Sequence, residues 1–113
     1  MKISNHLSIA GLKEVAPNFF TDMVKAVVDI ELSIIAFDAQ LHVDLEQALL
    51  EAGSKQKNLW GINLYPELFG TQDFIEFDSM INIRPVQSNN SRFVESEEIR
   101  LKIIALVNNL IKS

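Results

Sequence analysis

The chain of 113 residues contains no cysteine, which removes disulfides, thiolate nucleophiles and cysteine-ligated zinc together. Positive charge is scarce: 10 Lys and Arg stand against 15 Asp and Glu, a formal net charge of −5, and the basic residues nowhere run together. Nucleic acid and anionic membranes both demand a concentrated cationic surface, so neither is an expected partner. No apolar run approaches the roughly 20 residues of a membrane span, and the opening MKISNHLSIAG lacks the apolar core of a secretion signal. A soluble, cytoplasmic protein is the expectation. For the same reason Asn89-Asn90-Ser91 reads as a chance match to a glycosylation sequon.

What the chain does have is apolar residues, 48% of the total, enough for a sizeable core in a length that suits one domain, 1–113. Lys2 to Ser4 reads as a short strand. Ser8 is placed to cap a helix running to about Val15, with Leu7 and Leu12 as a hydrophobic staple and Pro17 as the stop. MVKAVVDIE, from Met23, is β-branched and alternating; SIIAFD, from Ser33, makes a second strand across a tight Glu31-Leu32-Ser33 link. Asp44 with Gln47 resembles a capping box for a helix over about Leu45 to Ala52, closed by Gly53. NLWGINLY, from Asn58, alternates Trp60, Ile62 and Leu64 toward a core. FIEFDSMINIRP, Phe74 to Pro85, alternates as a fourth long strand, and Ser96 caps a last amphipathic helix to about Lys112.

The element order is therefore (β)α-ββ-α-ββ-α, an α+β domain with a mostly antiparallel sheet and its helices packed on one face. The opposite sheet face would collect Lys25, Asp29 and Glu31 from the first long strand, Asn63 and Tyr65 from the third, and Glu76, Asp78, Asn82 and Arg84 from the fourth. An antiparallel sheet commonly leaves such a face in water, and alternation alone requires nothing more. Two features favour a site. Glu76 and Asp78 at i and i+2 lie about 7 Å apart on one face, so each disfavours ionisation of the other unless a cation intervenes. His42 stands at a helix entry, where backbone N–H groups and the helix dipole favour an anion.

The candidate acid and base groups are His42, Glu76 and Asp78; the candidate ligand-binding residues are Asn63, Tyr65, Asn82, Arg84 and Arg92. Carboxylates with one imidazole suit Mg, Mn or Fe, but neither an HExxH pair nor an EF-hand loop is present, so no metal site and no cofactor is expected. GSKQKN, from Gly53, lacks the upstream glycine of a phosphate loop and follows a helix instead of opening one. The loop PVQSNNSR ends in Arg92 and offers donors to an anionic group, although loops of this composition are usually turns.

The blocks KAVVDIE, LHVD, LLEAGS, LWGINLYPE and IEFDSMINIRP, with NNSR before the last helix, resemble a family of small prokaryotic proteins classed as a domain of unknown function. The resemblance covers almost the whole chain and implies a compact cytosolic protein with no activity or catalytic residues to carry over. The chain departs from that pattern between Phe37 and Gln40, where glycine is expected.

Function remains unknown at this level. The preferred reading is a binding or interaction protein that uses its polar sheet face to meet a second copy of itself, another protein or a small molecule. The alternative is a small enzyme in which His42, Glu76 and Asp78 perform acid/base chemistry while Arg84 or Arg92 orients an anionic small molecule.

Overall fold

The computed structural model describes residues 1–113. In chain order it contains β1 (Lys2–Ser4), β2 (Leu7–Ser8), α1 (Ile9–Val15), β3 (Val24–Asp29), β4 (Ile34–Phe37), α2 (His42–Glu51), β5 (Leu59–Leu64), β6 (Ile75–Glu76), α3 (Glu97–Leu110) and β7 (Ile111–Lys112), joined by short 3-10 turns. Five strands form an antiparallel sheet in the order β1-β4-β3-β5-β6, and β2 pairs in parallel with β7. The fold is the expected α+β arrangement. No helix is long and apolar enough to cross a membrane.

Local chemistry accounts for most element ends. Ser8 caps α1 by accepting from the Gly11 N–H, and Ser96 caps α3 by accepting from the Ile99 N–H. Gly53 closes α2 at φ +108°, a conformation that suits glycine. The β3–β4 turn has no Asn-Gly or Asp-Gly signature; instead Asp29, fully buried, accepts from the N–H groups of Glu31 and Leu32 and from the Ser54 hydroxyl. A residue expected on a wet face is thus the pin of the hairpin. Between Phe37 and Gln40, Asp38 takes φ +68°, the left-handed conformation that glycine would adopt most readily.

Three expectations are corrected. The helices do not share one face. Leu12 of α1 and Ile103 and Val107 of α3 pack with Val28, Trp60 and Ile62 in one core, while Leu45 and Leu49 of α2 pack with Val27, Ala36 and Leu59 in another, on the opposite side of the sheet. The face read as polar is therefore partly covered by α2. Second, α2 begins at His42, with Leu41 in the capping position and Asp44 inside the first turn. His42, Leu45, Glu46 and Leu49 are its buried residues, a helical spacing, and the His42 ring bonds the Ile62 carbonyl. That tertiary bond and the apolar stripe outweigh the local capping signal of Asp44.

Third, Phe74 to Pro85 is not one strand. Pairing with β5 ends at Asn63–Glu76. Ser79 then sits over Gly61, so close that a β-carbon on Gly61 would lie 2.5 Å from the Ser79 Cβ. The chain leaves the sheet plane there and caps a turn at Met80–Asn82 through the Ser79 hydroxyl. Side chains take over as partners for the rest of β5. The Asn82 carboxamide accepts from Gly61 N–H at 2.8 Å and donates to Gly61 C=O at 3.0 Å, as a neighbouring strand would, and Arg84 donates to Leu59 C=O.

Candidate functional site

The expected site residues separate into two groups. Asn82 and Arg84 are engaged inside the fold. Asn82 also donates to Arg92 C=O. The Arg84 guanidinium donates to the Gln56 and Leu59 carbonyls and stacks 4.2 Å from the Trp60 ring centre. Burial pulls the Arg84 pKa below its ordinary value, and Glu46 opposes that pull. The donors of the loop before α3 are likewise engaged: Asn90 N–H and the Ser91 hydroxyl both bond Glu95, and these bonds hold its carboxyl below the usual range. An anion is received by this loop, as its composition suggests, but it is the chain's own Glu95. Asn89, the acceptor position of the sequon, is buried with its amide nitrogen donating to the Asn82, Ser91 and Phe93 carbonyls.

The second group lies where the polar face stays open, at the Lys25 end of β3. Lys25 and Asn63 are direct cross-strand partners, and Asn63 pairs in turn with Glu76. The Asn63 amide donates to Glu76 Oε1 and to the Asp78 carbonyl, while its own Oδ1 is buried without a partner. The Tyr65 hydroxyl donates to the same Glu76 oxygen at 3.0 Å. Tyr65 is pushed up to about 12 by burial, by that hydrogen bond and by the charges of Glu76, Asp22 and Asp78. Asp78 is held by Arg92 in a half-exposed ion pair.

Beside these residues, the start of α2 and the Ser79–Ile81 segment enclose a recess of about 150 Å³, lined by Lys25, His42 and Arg92 together with apolar Leu41, Val43 and Met80. His42 Nε2 lies 2.8 Å from the Ile62 carbonyl. A carbonyl only accepts, so Nε2 carries the proton of the neutral ring and Nδ1 keeps its lone pair. Burial lowers the His42 pKa, and Lys25 and Arg92 lower it further, against the Ile62 bond and Asp78. Lys25 forms no ion pair; its ammonium rests 5.5 Å from the Phe20 ring centre. No side chain caps α2; the Asp44 N–H in its first turn bonds the Leu41 carbonyl instead.

A family model described as "Protein of unknown function (DUF5674)" matches residues 1–110. The chain belongs to this family. No curated protein and no solved structure matches it. For this DUF5674 chain the geometry alone must therefore suggest the chemistry. Glu76 bonds Asn63 and Tyr65, Asp78 bonds Arg92, and neither carboxylate is hydrogen-bonded to His42. No group of three or more His, Asp or Glu side chains is close enough to hold a metal ion.

Lys25 was legible as a member of the polar face, but its place beside His42 was not, because that depends on α2 crossing the sheet. Gly61, isolated in an otherwise apolar strand, was the sequence signal that another segment approaches β5 closely.

Proposed function

We propose that this protein is a binding protein whose recess at the start of α2 receives the carboxylate of a small ligand or of a partner's side chain. The observation that carries the reading is the meeting of Arg92 and Lys25, which forms no ion pair, at one recess in a chain whose net charge is −5. Cations concentrated against the overall charge favour an anionic guest. Leu41, Val43 and Met80 at the rim suit a short branched apolar body behind the carboxylate. Acid/base catalysis gains no support, because neither Glu76 nor Asp78 is bonded to His42.

Calorimetric titration with isobutyrate, compared with uncharged isobutyramide, tests the reading. Isobutyrate is expected to bind and isobutyramide not. Arg92→Ala should weaken isobutyrate by about tenfold, the value of one charge-assisted hydrogen bond. Equal behaviour of the two compounds, or no heat with either, would overturn the proposal.

A further inference from the structure

The sheet ends at β6, which is only two residues long. Across the β5–β6 pair Tyr65 donates its N–H to the Phe74 carbonyl, and Asn63 is matched with Glu76. Antiparallel strands alternate bonded and outward residues, so Phe74 and Glu76 face β5 while the N–H and C=O of Ile75 point to an edge that no strand occupies. Each side of this edge has a recess. Toward α3, Phe74, Ile75, Phe77, Ile104 and Asn108 border a groove of about 550 Å³. Toward the opposite face, Tyr65, Leu68, Asp73 and Glu76 border another of about 320 Å³.

The two sides differ in chemistry. The α3 side is largely apolar and contains no charged residue. The other side carries Asp73 and Glu76 with no lysine or arginine. Asp22 and Asp78 add to the negative field, which Tyr65 registers. An added strand presents successive side chains to opposite faces, so the edge demands a guest that alternates apolar and cationic residues. A second copy of this chain, at −5, would meet repulsion here.

We propose that the β6 edge docks an extended basic segment of a partner protein, adding a strand beside Ile75 with apolar residues in the α3 groove and lysine or arginine toward Asp73 and Glu76. The site is separate from the carboxylate recess, and the partner's positive charge is the reverse of what that recess takes.

A labelled peptide Lys-Val-Lys-Phe-Lys-Val-Lys, followed by fluorescence anisotropy against the full chain, tests the proposal. Binding is expected, weakening with salt, with loss of at least about tenfold when glutamate replaces every lysine or in the Asp73→Lys and Glu76→Lys variants. Asp73 is exposed and makes no ion pair, so its variant remains informative should Glu76→Lys unfold the edge. A peptide N-methylated at alternate residues keeps its charge but cannot extend the ladder, and it should not bind. Equal binding of the methylated or acidic peptide would overturn strand addition, as would no binding at millimolar protein. Light scattering that shows the chain pairing with itself through this edge, abolished by Glu76→Lys, would overturn the choice of a basic partner.

Discussion

The carboxamide of Asn82 stands in for a strand, meeting both backbone groups of Gly61 and the carbonyl of Arg92 from a fully buried position. Alanine at this position leaves those groups without partners and without water, at about 1–3 kcal/mol for each unsatisfied group. Asn82→Ala is expected to lower stability by about 3 kcal/mol in urea denaturation, whereas a residue on an ordinary wet strand would change it by less than about 0.5 kcal/mol. Tyr65 offers a second residue-level test because it is the only tyrosine. Its phenolate absorbance should rise at a pH of about 12, and in Glu76→Gln it should move down toward the ordinary tyrosine value of about 10. Titration at the ordinary value in the wild type would contradict the Tyr65–Glu76 bond.

Among the elements, β3, β4 and β5 were legible because β-branched alternation and burial agree along their length. α1 and α3 were legible because serine caps mark where they start. FIEFDSMINIRP alternates just as well, yet only Ile75–Glu76 is strand. Alternation reports which residues a strand would send to each face; it carries no information about Ser79 settling over Gly61. Asn82 and Arg84, expected as ligand-binding residues on an open face, instead serve the edge of β5. The covering of the polar face by α2 was equally hidden, since it follows from the order of strands and not from any one of them. The β3–β4 turn carries a prediction at this scale. Ser33 sits at φ +56° with no side-chain hydrogen bond given to it. Ser33→Gly removes the steric cost of that conformation and should raise stability by up to about 1 kcal/mol, measured by the denaturation midpoint.

For the molecule as a whole, the two cores on either side of the sheet leave one polar corner open, and the charges there couple folding to pH. His42 has a lowered pKa when folded, so between the ordinary histidine value of about 6.5 and its folded value the unfolded chain holds more protons. Stability rises with pH through that window, and the His42 contribution is present above it and lost as pH falls below it. Thermal melts from pH 7 downward should show this decline, and His42→Gln should flatten it above the range where carboxylates titrate. A carboxylate in the recess would offset the charges of Lys25 and Arg92 that disfavour protonated His42, so ligand and proton should bind together.

The most direct measurement is the NMR titration of the His42 ring with pH, in the absence and presence of saturating isobutyrate. Isobutyrate is expected to move the His42 pKa upward, and Arg92→Ala to reduce that shift. An unchanged His42 titration at saturating isobutyrate would contradict a carboxylate site at the start of α2.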